Sequence, residues 1–137
     1  MPENESPAIS RIINHEIILQ HFGYWPDFHD AEITKVIFET HPTGRYSIAF
    51  LIDAFEMTKE IDERGYYKLS KHCTVELQFI GIQSLNFEGF SFQNVIFDLV
   101  FEESGDSIEC RLSSSNGLEA AIIAEEVFVL SLTPTKR

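Results

Sequence analysis

His29 and Asp30 are neighbours in the chain, and a histidine beside a carboxylate can move a proton or hold a metal ion. Metal-dependent hydrolysis needs further His and Asp ligands on helices. Here the doublet instead leads into an extended segment, where consecutive side chains point to opposite faces, so one metal would not readily take both. His15 and His21 lie six positions apart, which on a helix turns them away from each other, unlike the i, i+4 pair of a zinc helix. Cys73 and Cys110 fall on the apolar side of their segments and read as inert core thiols, neither a disulfide framework nor a zinc site. Asp53 and Glu56 could meet across a cleft, but a solvated face is the simpler account. The chain holds no G-x-S-x-G, no P-loop and no G-x-G-x-x-G. No catalytic residue, metal ligand or cofactor is assigned, and the expectation is a protein that is not an enzyme.

The doublet belongs to a longer run, Phe22-Gly23-Tyr24-Trp25-Pro26-Asp27-Phe28-His29-Asp30-Ala31-Glu32-Ile33, which contains the only tryptophan. Gly23 is placed to stop a helix in the left-handed conformation, and Pro26 keeps it from resuming. The first reading of this run is a rigid aromatic corner that seats the helix on a sheet, with Trp25 buried. In that reading Asp30 accepts backbone N–H groups and His29 bonds a loop carbonyl. The second reading is a binding surface formed by Tyr24, Trp25, Phe28, His29 and Asp30.

The corner must be held by the elements around it. A helix is predicted over residues 15–22, with Asn14 as a side-chain N-cap, Ile13 and Ile18 as a staple, and Ile18 and Phe22 on one face. After Glu32 the apolar period becomes two. Ile33 to Thr40 is β-branched with imperfect alternation, so a bulge is expected there. His41-Pro42-Thr43-Gly44 is a turn, and Tyr46 to Ala54 alternates cleanly. Glu56 to Ser70 reads as the longest loop. Four more alternating segments follow: Cys73 to Phe79, Val95 to Glu102, Ile108 to Leu112, and Leu118 to Leu132. Ser104-Gly105-Asp106 is a tight turn, and a bulge or bend is expected near Ala124-Glu125-Glu126. The expected core includes Phe50, Ile52, Val75, Leu77, Phe79, Phe97, Leu99, Ile108, Leu112 and Leu130.

These elements predict a mainly β (α+β) protein. Its curved antiparallel sheet or barrel-like sandwich has about six to eight strands, with one short N-terminal helix plugging an end or edge. The predicted organisation is an acidic flexible tail over residues 1–8, one globular domain over 9–133, and a short tail over 134–137. The chain has 137 residues and a formal charge of −12. That charge argues against nucleic acid or an anionic membrane as partner and permits a basic protein. No apolar run reaches the ~18 residues of a membrane helix, and the start lacks a secretory signal. A cytoplasmic protein is expected. An unpaired sheet edge would allow a homodimer.

The run Gly23 to Ile33 resembles the G-x-W-P-x-F-H-D-A-E-[IV] opening of the bacterial immunity protein 50 family. Val75 to Phe79, Asn94 to Phe97 and Gly117 to Glu119 are also similar to that family, and the resemblance spans about residues 12–134. It implies a small protein of a polymorphic toxin system that binds and neutralises a cognate toxin, and it implies no catalytic residues. Two other readings stand beside it: a barrel binding a small ligand in a phenylalanine-lined cavity, and a hydrolase using His29 and Asp30. On the immunity reading the partner is steered by an acidic stretch, Asp98 to Glu109, with Glu102, Glu103 and Asp106 at its tip. That stretch has five carboxylates and no Lys or Arg.

Overall fold

The computed structural model describes residues 6–135. Its strands are β1 (Glu32–Thr40), β2 (Tyr46–Ile61), β3 (Tyr67–Glu88), β4 (Val95–Ser104), β5 (Ser107–Asn116) and β6 (Glu119–Pro134). They close into an antiparallel barrel in the order β1-β2-β3-β6-β5-β4. A 3₁₀ turn (Ile9–Arg11) and the helix α1 (His15–Phe22) precede them. No helix among the described residues is long and apolar enough to cross a membrane.

The barrel is filled by the inward side chains of every strand, among them Ile48, Phe50, Ile52, Val75, Leu77, Phe79, Phe101, Ile108 and Ile122. Phe50 meets Phe79 edge-on at 5.5 Å, and Phe79 stacks with Phe101 at 6.5 Å. These rings form a packed interior, the use of aromatic area expected of a core. Ala8, Ile9, Ile12, Ile18 and Phe22 join the same cluster, so the N-terminal segment caps the barrel core. Ser6 donates its hydroxyl to the carbonyl of Phe101 at 2.8 Å. Residues 1–5 of the expected acidic tail lie outside the described residues, and ordered packing already begins within its range.

α1 has the predicted limits and ends as predicted. Gly23 takes φ 88° and donates to the carbonyl of Leu19 at 2.7 Å. Its start differs. Asn14 occupies the cap position at φ 67° but makes no side-chain cap. Ile13 is held on both sides by β6, through Ile13 N to Val127 O and Val129 N to Ile13 O, each 2.8 Å. The chain must leave that pairing within one residue. Asn tolerates the left-handed conformation, and its amide turns to the carbonyl of Val129 at 3.4 Å.

The bulge predicted in β1 lies between Ile33 and Lys35. Two others overturn core assignments. In β4 the register steps from Ile96↔Ser114 to Asp98↔Ser113, which leaves Phe97 as the extra residue. Ile96 turns inward and Phe97 is 51% exposed. In β6 the register steps from Ser131 to Val129 against Glu76 and Leu77, which strands Leu130 at 44% exposure. One inserted residue reverses the inward and outward sides beyond it. The phase of β6 does change at Glu125 and Glu126, both exposed, so that Val127 and Val129 become the buried pair.

The expected long loop is also replaced. β2 and β3 run on as a hairpin, pairing Met57 with Leu69 and Ile61 with Tyr67. Only residues 62–66 form its turn. There the Asp62 carboxylate accepts the N–H groups of Arg64 (2.8 Å) and Tyr66 (3.0 Å).

Candidate functional site

The corner after α1 forms the barrel's seam. β1 and β4 pair through Glu32↔Val95. Around that pair Asp30 N donates to Ile96 O (2.9 Å), Ile96 N to Ala31 O (2.8 Å) and Ile33 N to Asn94 O (3.0 Å). Asn94 is buried and ties the seam to its neighbours. Its carbonyl oxygen accepts from Ser91 N (2.9 Å) and Leu118 N (3.1 Å), while its amide donates to Ser91 O (2.9 Å) and Ile33 O (3.4 Å). Gly117, at φ 113°, lies so close that an added Cβ would stand 2.6 Å from the Asn94 carbonyl oxygen.

Trp25 is 3% exposed, as predicted. Its ring meets Phe28 at 6.1 Å and Phe101 at 5.9 Å, both edge-on. Phe28 is also buried, at φ 60°. A bulky residue in the left-handed region is uncommon, and such strain persists only where packing over-determines it. Asp30 follows at φ 70°, and Ala31 N closes the turn on Phe28 O at 3.0 Å.

This double reversal alters the doublet. His29 and Asp30 do not project to opposite faces; Nε2 of His29 lies 3.6 Å from Oδ1 of Asp30, with both side chains about half exposed. Nδ1 of His29 bonds the carbonyl of Phe97 at 3.0 Å, the loop-carbonyl role expected of it, although the carbonyl belongs to the β4 bulge. That bond, with the nearby Asp30, Asp27 and Asp98 carboxylates, raises the pKa of His29 above its ordinary value, against a smaller opposing effect of burial. The backbone-accepting role predicted for Asp30 falls to Asp27, whose Oδ1 accepts from His29 N at 2.9 Å. Asp27 precedes the turn and can reach two residues ahead, as such side chains do. The Asp30 carboxylate faces outward beside His29.

Tyr24 reaches across to β2 and donates to Glu56 at 2.9 Å. Burial, together with that carboxylate, raises its pKa to about 12. Lys71 pairs with the same Glu56 at 3.3 Å and donates to Phe22 O, at the end of α1, at 3.0 Å. A cation there complements the helix terminus.

Two hollows open at this corner. The first, about 270 Å³, is lined by the run Tyr24 to Asp30 together with Phe55, Glu56 and Met57. The second, about 250 Å³, adjoins it through Asp30 and Phe55 and adds Glu32, Asp53, His72 and Cys73. All five predicted motif residues therefore line one cleft, with Trp25 and Phe28 mostly spent on its floor. Asp27, Asp30 and Glu56 line its walls, and Asp30, Glu32 and Asp53 those of the adjoining hollow. No group of three or more His, Cys, Asp or Glu among the described residues is arranged to hold a metal ion. Cys73 and Cys110 are buried free thiols with raised pKa values, Cys73 to about 11, chiefly through desolvation.

The predicted acidic surface lies on the β4–β5 hairpin, and the fold brings arginines to it. Arg11 pairs with Glu103 at 3.1 Å and donates to the backbone carbonyl of Asp106 at 2.6 Å. Arg111 pairs with Glu102 (3.1 Å) and Glu109 (3.6 Å). The stretch is thus less negative in space than along the chain. Sequence reading found the motif cleft through its aromatic and His-Asp composition. Phe55 and Met57 carry no such signal, because a strand distant in sequence supplies them. Asp53 and Glu56, the possible cleft pair for which a solvated face is the simpler sequence account, do line the two adjoining hollows.

The chain is thus a small closed antiparallel β-barrel with an acidic and aromatic cleft beside its seam. The immunity protein 50 family matches residues 14–135, and the chain belongs to that family. No curated protein and no solved structure matches it. Immunity protein families are in general non-catalytic and have protein toxins as partners.

Proposed function

We propose that this protein neutralises a cognate toxin by direct binding, acting in the bacterial cytoplasm without catalysis, and that the toxin meets the motif cleft. The observation that carries this reading is the convergence of the family motif on one exposed, carboxylate-lined cleft while its rings anchor the barrel seam. The motif side chains exposed toward a partner are Asp27, His29 and Asp30, with Tyr24 partly exposed beside them. Five carboxylates line the two hollows, which suits a basic protein surface and disfavours phosphate. Glu102, Glu103 and Asp106 form a second acidic face that steers the approach. Self-pairing of the chain is compatible with this role.

The alternative of a small-ligand barrel loses support because Phe50, Phe79 and Phe101 pack against one another in the core. The test begins with affinity purification from native lysate and mass spectrometry of what accompanies the protein. Inhibition of the recovered toxin is then measured with wild type and with the pair His29→Ala and Asp30→Asn. Loss of inhibition at a temperature where both variants remain folded by circular dichroism supports the cleft. Full inhibition by both variants places the contact elsewhere.

A further inference from the structure

The β2–β3 arm, residues 56–71, extends past the rest of the barrel. β2 has β1 as neighbour only as far as Asp53, and β3 gains β6 only from Cys73. Between these limits the two strands pair only with each other. The register breaks between Met57 and Ile61, where the Thr58 hydroxyl donates to Lys68 O and accepts from Glu60 N, and His21 bonds Lys71 O at the base of the arm. Elsewhere the outer edges have no neighbouring strand, the arrangement that templates pairing with another chain. The arm also carries two apolar cross-strand pairs, Met57 with Leu69 and Ile61 with Tyr67, and these four side chains are 41–60% exposed. An isolated two-stranded hairpin is marginal in water, so an apolar arm of this kind gains from being covered.

Charge indicates what covers it. The arm contains Glu56, Glu60, Asp62 and Glu63 against Lys59, Arg64, Lys68 and Lys71, and so is neutral, while the chain as a whole carries −12. Its ion pairs, Glu56 with Lys71 (3.3 Å) and Glu60 with Lys68 (3.7 Å), are internal. A basic partner is attracted to the acidic faces. A second copy of this chain is repelled by those faces, and the arm offers it a neutral and apolar place to dock. We propose that the arm is the contact surface of a homodimer, arm against arm about a two-fold axis, with the two acidic barrels held apart. The arm is smaller than the ~20–30 residues a side of a standard interface, so the dimer is of the weak, reversible class with a Kd on the order of micromolar or above.

Electrostatics gives this contact a signature opposite to that of toxin binding, which separates the failure of one from the failure of the other. Salt screens repulsion between the two barrels over a Debye length of roughly 10 Å at 0.1 M, so dimerisation tightens as salt rises. Sedimentation equilibrium of the full chain, from about 1 to 300 μM, at low and at high salt, tests it. The expected result is a monomer–dimer equilibrium at least severalfold tighter at high salt. The double variant Ile61→Glu with Leu69→Glu is expected to be monomeric throughout, with unchanged circular dichroism. Should that variant unfold, Ile61→Thr with Leu69→Thr keeps strand-forming residues and is expected to weaken the dimer at least tenfold. Phe92→Ser removes another exposed ring, 94% accessible and outside the arm, and leaves the dimer unchanged. A wild type monomeric at the highest concentration, a dimer that survives the arm substitutions, or one that Phe92→Ser dissolves overturns the proposal.

Discussion

His29 and Phe97 meet twice: the imidazole lies edge-on to the phenyl ring at 5.4 Å, and its Nδ1 bonds the Phe97 carbonyl at 3.0 Å. The motif is thereby clasped to the β4 bulge from outside, while Trp25 and Phe28 hold the same turn from within.

The first prediction follows from that clasp and concerns pH. The pKa of His29 is raised, chiefly by the Phe97 carbonyl, so the folded state binds its proton more tightly than the unfolded chain does. The resulting stability is fully present below the ordinary imidazole value near 6.5 and is lost as pH rises through the raised folded value. Thermal melts of wild type and His29→Gln between about pH 5 and 8 check this: the difference between the two should shrink toward the alkaline end. A constant difference would show that the imidazole acts only through packing.

Asp27 and Asp30 should separate in their effects. Asp27→Ala removes the acceptor of the His29 N–H and is expected to cost about 1 kcal/mol in a denaturant titration. Asp30→Asn leaves the turn and its backbone bonds in place, so its effect stays within about 0.5 kcal/mol. Equal effects would contradict the division of roles between the two carboxylates.

Core burial gives a sharper contrast. Leu77→Ala opens a cavity in the barrel and should cost roughly 2–5 kcal/mol. Leu130→Ala, at a bulge and half exposed, should cost less than about 1 kcal/mol. Paired titrations decide this, and a large loss at Leu130 would place it inside.

The seam should be intolerant of small changes. Gly117→Ala puts a methyl group against the Gln93 and Asn94 oxygens at a φ that side chains rarely adopt. Asn94→Ala leaves the N–H groups of Ser91 and Leu118 without their acceptor, at about 1–3 kcal/mol for each buried group left unmet. Hydrogen exchange should show faster opening of β1 and β4 than of β3 and β6 in both variants.

Toxin association should slow at least severalfold from low to high ionic strength, with dissociation changing less. Neutralising Glu102, Glu103 and Asp106 together should reproduce part of that slowing, though only part, since Arg11 and Arg111 already offset two of the glutamates on that face. Stopped-flow mixing across a salt series measures it, and a salt-independent on-rate would leave the hairpin as solvated surface.

Part of this fold follows from interactions between residues near one another in the chain. The helix over 15–22, its stop at Gly23, the buried Trp25, the turns at 41–44 and 104–106 and the inward sides of β2 and the first half of β3 all depend on propensity, turn chemistry and period. The β1 bulge and the change of phase at Glu125 and Glu126 were also legible, as broken alternation, but the bulges at Phe97 and Leu130 were not, and only the tertiary structure decided them. A bulge is defined against a partner strand, and one extra residue reverses every side chain beyond it, which is why Phe97 and Leu130 lie outside and Ile96 and Val129 inside. The same holds for the charges. Arg11 is distant in sequence from the acidic hairpin, and only barrel closure brings it there. Glu56 reaches Tyr24 because β2 passes the corner. The sign of the arm's neutrality could be read residue by residue, yet its meaning could not, because the density of charge hid two paired strands whose exposed edges exist only once their neighbours have turned away.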